Sequence, residues 1–227
     1  MSLPARSRAM DVVYGKNAVA EAQRGRRTVH RVWEAPGTPA EELERLAGSP
    51  DHQGIVAEVD PYPYADPTTL LAADDALVVA LDEVQDPHNL GAVCRSAEVA
   101  GASGVVIPER RAAQVTPAVC KASAGAVEHL AVARVRNVAD WLADAKERGA
   151  WVYGASGAGE VSLGAVDLTG RTVIVLGAEG KGLRPRVAAG CDAQVAIPQR
   201  GKVDSLNVSA AAAVFLFEAL RQRGAWD

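Results

Sequence analysis

With 227 residues, 48% of them hydrophobic, the chain carries enough apolar material for one large packed domain, or a medium one and a small one. A net charge of −4 excludes a strongly basic nucleic-acid binder of the usual kind. No apolar run reaches the length of a membrane span and the first residues lack the apolar stretch of a secretion signal. The three cysteines (Cys94, Cys120, Cys191) form no C-x-x-C pair, so buried thiols in the reducing cytoplasm and no metal centre are expected.

Taken in order, MSLPARSRAM predicts a disordered tail. From Met1 to Arg31 seven cations stand against two anions, which makes this the electropositive end of an acidic chain. Arg24, Arg26 and Arg27 are therefore candidate phosphate contacts, whereas Arg6 and Arg8 fit a solvated tail equally well. Tyr14 to Ala22 predicts a short helix after a turn, and the alternation from Thr28 to Trp33 predicts a strand. Thr38-Pro39-Ala40-Glu41 has the capping-box pattern with proline at the first helical position, opening a helix to Leu46. A turn follows at Gly48 to Asp51, then a strand from Gly54 to Val59. Residues 1–66 thus predict a small α/β domain. The stretch Pro61 to Pro67 is stiff rather than floppy, and residues 67–75 form the link, with a short helix over Thr68 to Ala73.

From Ala76 strands alternate with helices. Strands are predicted at 76–81, 104–107, 130–135, 150–154, 172–176 and 193–197, and helices at 89–100, 117–124, 138–148 and 205–223. That rhythm predicts a mostly parallel sheet covered by helices on both faces over residues 76–227. Asn89 is placed to cap the first of these helices. The last should start at Ser205 or just before, with Asp204, Ser205 and Asn207 as its capping candidates. Its first turn then offers polar side chains beside free backbone N–H groups, a setting for a polar or anionic ligand. Glycines crowd the strand end at Gly177-Ala178-Glu179-Gly180-Lys181-Gly182, where backbone must come close to a ligand or another segment. Glu179, between them, reads as a site carboxylate or a surface one. Gly154 to Gly159 imitates a dinucleotide loop without the G-x-G-x-x-G spacing, and Gly180-Lys181-Gly182 lacks the Ser or Thr of a phosphate loop. Arg110-Arg111 reads as a solvated turn or an RNA contact.

Three blocks in this order resemble the motifs of the SpoU-type (TrmH-like) RNA 2′-O-ribose methyltransferases of the SPOUT class. N-x5-R-x5-G stands as Asn89, Arg95 and Gly101. L-G-x-E-x-x-G stands as Leu176, Gly177, Glu179 and Gly182. I-P-x6-S-L-N-V-S stands as Ile197, Pro198 and Ser205 to Ser209. The resemblance covers about the C-terminal two-thirds of the chain. It implies an α/β fold with a C-terminal deep trefoil knot, S-adenosyl-L-methionine as cofactor, an RNA substrate and a homodimer with its site near the subunit interface. It implies that Asn89, Arg95, Glu179, Ser205 and Asn207 form the catalytic site, and that backbone at Gly177, Ile197 and Leu206 holds the adenosine. Residues 1–66 look similar to the ribosomal-protein-like domain that precedes the catalytic domain in many members. His52-Gln53-Gly54 matches near its end, but only a short turn stands where relatives carry a further strand and helix.

A ribose 2′-hydroxyl must lose its proton as it attacks a methyl, so alignment and a route for the proton are the demands on the site. A guanidinium stays protonated, so Arg95 is expected to clamp a phosphate beside the target ribose rather than act as the base. Similarity to the rRNA branch (YGKNAV, HQGI, IPQRGKVDSLNVS) implies a guanosine of large-subunit rRNA, with tRNA as the alternative. A non-catalytic RNA-binding protein and a dinucleotide oxidoreductase are the rival readings, and cofactor binding separates them.

Overall fold

The computed structural model describes residues 10–202 and 205–225. Arg6, Arg8 and Asp204 therefore lie outside the described residues. The chain opens with β1 (Asp11–Tyr14), α1 (Lys16–Arg24), β2 (Val29–Glu34), α2 (Ala40–Ala47) and β3 (Ile55–Val59). The three strands form an antiparallel sheet in the order β1-β3-β2. The predicted capping box does not form: Pro39, not Thr38, occupies the N-cap of α2, without a side-chain cap bond. At the other end Gly48 takes the left-handed conformation at φ 64° and closes the helix onto the Glu44 carbonyl.

The larger unit contains β4 (Leu77–Asp82), α3 (Pro87–Val99), β5 (Gly104–Pro108), α4 (Pro117–Ala122), β6 (Val132–Val135), α5 (Val138–Glu147), β7 (Trp151–Ala155), β8 (Val161–Ser162), β9 (Thr172–Gly177), α6 (Pro185–Gly190), β10 (Ala193–Ala196) and α7 (Val208–Gln222). Seven strands run parallel in the order β6-β5-β4-β9-β7-β10-β8. All six predicted strands are present; β8 and α6 were not foreseen, and the helix expected over Thr68 to Ala73 is a single 3-10 turn, Thr69–Leu71. Every residue of β4 and β5 is buried, the signature of a parallel sheet covered on both faces.

Alternate residues feed two cores. Leu77, Val79 and Leu81 pack with α3, α4 and α7, while Val78 and Ala80 pack with α5 and α6. Val13, Val19, Ala57 and Val59 of the N-terminal unit belong to the first of these cores. The N-terminal sheet is thus packed onto the larger unit. The stretch after it also docks: Ala65 bridges to Ala133 on edge strand β6, with Ala65 N–H donating to the Val132 carbonyl at 2.9 Å.

The seam between the units corrects one expectation. Arg27 does not face solvent. Its side chain is 2% exposed and grips Glu128, itself 0% exposed, through both carboxylate oxygens. Arg26 donates to the Glu128 carbonyl at 3.3 Å and to the Leu130 carbonyl at 2.5 Å. The Arg27 guanidinium is therefore enclosed and not free to meet RNA phosphates, whereas Arg26 stays exposed while two of its nitrogens bond inward. Arg24 remains outside, 71% exposed beside Glu21. Burial pushes the thiols of Cys94 and Cys120 up to about 12, and all three cysteines are free.

Candidate active site

The C-terminal ends of β7, β9 and β10 release three loops that enclose a cavity of about 690 Å³. Leu176 to Leu183 form one wall, Ala155 to Gly157 another, and Ile197 with Ser205 to Val208 a third. Glycine makes the first wall possible. A Cβ at Gly177 would lie 2.1 Å from the Gly182 carbonyl carbon and 2.5 Å from Leu183 N. Gly182 N–H bonds back to the Ala178 carbonyl at 2.9 Å, and Gly180 and Gly182 take φ of 71° and 65°. Gly154, in the dinucleotide-like stretch, lies within β7 and is a packing glycine. Its Cβ would meet Leu183 and Cys191.

Gly177, Ile197, Ser205 and Leu206 all line this cavity. Leu206 is 44% exposed, an apolar side chain held open at its rim. The start of α7 differs from expectation. Ser205 lies in the approach, and Asn207 is the N-cap, its Oδ1 accepting from the N–H groups of Ser209 at 2.9 Å and Ala210 at 3.4 Å.

With its oxygen fixed by the helix, the Asn207 amide must point its nitrogen the other way. Nδ2 donates to Asn89 Oδ1 at 2.9 Å and to Glu179 Oε1. One side chain therefore joins all three motif blocks. Asn89 does not cap α3 as expected; Asp86 does, accepting from His88 N at 2.8 Å with Pro87 at the first helical position. Asn89 instead lies in the first turn, 8% exposed, its oxygen already engaged and its amide nitrogen without a hydrogen-bond partner among the described residues. A second recess of about 240 Å³ adjoins, lined by Glu83, Asp86 and Asn89, and it shares Ala178, Glu179, Lys181 and Val208 with the larger cavity. The amide–carboxylate cluster is the partition between the two.

Arg95 is not part of this cluster. It lies about 120° around α3 from Asn89 and about 9 Å along it, exposed, and makes no hydrogen bond or ion pair among the described residues. Val99, one turn on, is 60% exposed.

Two residues that shape the site went unnoticed in the sequence. Asp82, buried at the end of β4, accepts from Arg184 N–H at 2.9 Å and from its Nε at 2.8 Å. Hydrogen bonding to Asp82 holds the Arg184 guanidinium above its ordinary pKa. The pair straps the glycine-rich loop to the strand preceding Asn89. Its only sequence signal was an acid at a strand end and an arginine before Pro185.

Residues 76–217 match the SpoU rRNA Methylase family. The chain is 48% identical over 179 residues to the 23S rRNA (guanosine-2′-O-)-methyltransferase of Pseudomonas syringae pv. tomato, covering 77% of this chain and 72% of that one. It is 39% identical over 241 residues to an uncharacterized tRNA/rRNA methyltransferase of Mycolicibacterium smegmatis, covering 94% and 77%. The SpoU methyltransferase AviRb of Streptomyces viridochromogenes, crystallised with AdoMet, superposes with a TM-score of 0.82 at 25% identity, covering 94% of this chain and 90% of that one. The loops fit a cofactor like the one in that structure: a cavity of about 690 Å³, a wall whose close backbone turn requires glycine at 177, and an open apolar rim at Leu206. The chain belongs to the SpoU family of S-adenosylmethionine-dependent RNA methyltransferases.

Proposed function

We propose that this enzyme methylates the 2′-hydroxyl of a guanosine in large-subunit rRNA, working in the cytoplasm. The observation that carries the reading is the partition formed by Asn89, Glu179 and Asn207 between a cofactor-sized cavity and a smaller recess. When bound in the larger cavity, S-adenosylmethionine supplies an activated sulfonium methyl. Backbone of Gly177, Ile197 and Leu206 holds its adenosine, and the ribose to be methylated occupies the recess. Glu179 accepts a hydrogen bond from a ribose hydroxyl, while the free amide nitrogen of Asn89 donates to the sugar. Asn207 touches both side chains and fixes their orientation, and Ser205 stands at the cavity wall beside them. Alignment of this kind is where most of the rate of a methyl transfer to a weak nucleophile originates. The guanosine and the rRNA are carried over from the 48% identical relative.

Arg95, outside the cluster of its own chain, completes the site across a homodimer and holds the phosphate next to the ribose, and that phosphate or a water takes the proton the 2′-hydroxyl gives up as it attacks the methyl. What supports the dimer is apolar surface on the two helices concerned: Val99 on α3, 60% exposed, and Val214 on α7, 40% exposed. We read the deep trefoil knot into the same region. The chain leaves β9 in mid-sheet, crosses β7 to reach β10, and returns so that α7 packs on α3. Residues 1–66 then form the ribosomal-protein-like RNA-binding domain, 67–75 its link and 76–227 the catalytic domain, with Arg24 and the exposed Arg26 as that first domain's remaining candidate contacts. The deciding experiment maps ribose methylation in rRNA and tRNA of a strain lacking the gene. Loss of one 2′-O-methylguanosine in 23S rRNA is expected; loss confined to tRNA overturns the rRNA assignment.

A further inference from the structure

Several exposed arginines have a carboxylate partner: Arg24 with Glu21, Arg184 with Asp82, Arg186 with Asp140, Arg221 with Glu218. Four others cluster on one surface without a close carboxylate. Arg134 and Arg136, at the end of edge strand β6, and Arg110, in the loop after β5, are exposed and make no ion pair among the described residues. Arg111 has only a distant partner, Glu83 Oε1 at 3.8 Å, and is itself 79% exposed. The parallel register sets Arg134 beside Ile107 and brings the start of the 109–116 loop against the end of β6, with Glu109 N–H donating to the Val135 carbonyl at 2.9 Å.

These cations are mounted, not scattered. Arg134 Cζ lies over the Tyr64 ring, 4.0 Å from its centroid. The Tyr64 hydroxyl accepts from Val115 N–H at 2.9 Å, which ties the same ring to the loop carrying Arg110 and Arg111. Gln114 staples that loop from within, donating to the carbonyls of Pro108 and Ala112. Arg111 and Glu83 both take the left-handed conformation, with φ of 59° each. Glu83 lines the recess beside Asn89 and Glu179. The arginines therefore run along the C-terminal edge of the sheet and end where the recess begins.

We propose that Arg110, Arg111, Arg134 and Arg136, supported by Tyr64, grip the single-stranded RNA flanking the target nucleotide, an inference that rests on reading the recess as the ribose site. Sequence-specific recognition of RNA mostly targets single-stranded loops, bulges and ends, so the nucleotides flanking the target are taken to arrive as single strand. Single strands are held by cations along the backbone and by planar surfaces against the bases. Unpaired arginines supply the first, and the planar Arg134 guanidinium, already held over an aromatic ring, supplies the second. Glu109 is the opposing charge within this surface, and it makes no ion pair among the described residues.

The test is fluorescence anisotropy with a labelled single-stranded RNA of mixed sequence, read across a salt series. Three proteins are compared: the full chain, Arg134→Gln/Arg136→Gln, and Arg45→Gln, whose arginine is 72% exposed on α2 away from this surface. Affinity should fall with salt in the full chain, and the double variant should flatten the log–log slope by about 1.4, or about 0.7 per lost phosphate contact. Arg45→Gln should keep the parent slope. Calorimetry with S-adenosylmethionine should give one affinity for all three, which reports intact folding. An unchanged slope in the double variant, or an equal change in Arg45→Gln, overturns the proposal while RNA binding stands. Absence of RNA binding by the full chain, with cofactor binding intact, overturns the ribose-site reading and this proposal together.

Discussion

The seam around Arg26 and Arg27 and the edge carrying Arg110, Arg111, Arg134 and Arg136 use the same residue type for opposite ends. At the seam, the Arg27 guanidinium is enclosed opposite a fully buried Glu128, and Arg26, though exposed, bonds inward to two carbonyls. At the edge, guanidinium groups are exposed and lack a close carboxylate. The local clusters look alike in sequence, Arg26-Arg27 and Arg110-Arg111. What separates them is a carboxylate 101 residues away from Arg27 that happens to fold against it. A buried charge tolerates its position only when paired and fully hydrogen-bonded. An exposed unpaired charge carries no such penalty and keeps its field for a polyanion. Positive charge at the N-terminus is thus partly a fastening device, and the charge that faces outward belongs mainly to the larger unit.

The sharpest way to break this comparison is to remove the fastener. Arg27→Ala leaves Glu128 charged and unpaired in the interior and should lower unfolding free energy by about 3–5 kcal/mol, read from denaturant midpoints. Because Arg27 is enclosed, RNA affinity measured on the folded fraction should keep its salt slope. A variant that stays stable yet loses phosphate contacts would put Arg27 back on the surface.

Next in size is the effect of uncoupling the partition from the helix it caps. Asn207→Ser retains an N-cap oxygen, so stability should hold to within about 0.5 kcal/mol. It removes the amide donors to Asn89 and Glu179, and turnover should fall about 100-fold, the scale of losing one preorganised donor. Equal falls in stability and rate would reduce Asn207 to a cap. A smaller effect, about tenfold in turnover, is expected for Arg95→Lys, since an ammonium replaces the planar fork at the cost of about one charge-assisted hydrogen bond. Cofactor affinity and melting temperature should not move, the reverse of the Arg27 result. Near-full activity in that variant would remove the phosphate clamp.

The parallel sheet was legible because its strands, buried on both faces, stand out as apolar runs such as Leu77 to Leu81. Elements with two and six residues, β8 and α6, are too short to show a period. The start of α7 was misplaced because Asp204, Ser205 and Asn207 all qualify as caps within one short stretch. The start of α3 was missed although Asp86-Pro87 carries the N-cap and first-turn signals. Of the site, Asn89, Glu179 and Asn207 came together only through motif resemblance, because 118 residues separate the two asparagines. Pairs such as Arg27–Glu128 and Asp82–Arg184, also more than a hundred residues apart, leave no local trace.

The smallest effect concerns the outer layer of the seam. Glu21 and His129 meet there at 2.8 Å, with side chains 30% and 37% exposed. The hydrogen bond from His129 holds the Glu21 carboxyl below its ordinary pKa of 4.5, and Arg24 adds to the shift. A carboxylate with a depressed folded pKa contributes stability above its unfolded value and loses it as pH falls through the folded one. Wild-type stability should therefore begin to decline from about pH 4.5 downward on this account, and Glu21→Gln should flatten that part of the profile. Solvent screens the pair, so the difference at neutral pH should be no more than about 0.5 kcal/mol, far below that of the enclosed pair beside it. A Glu21→Gln loss as large as that of Arg27→Ala would mean that the seam is held at its rim rather than in its interior.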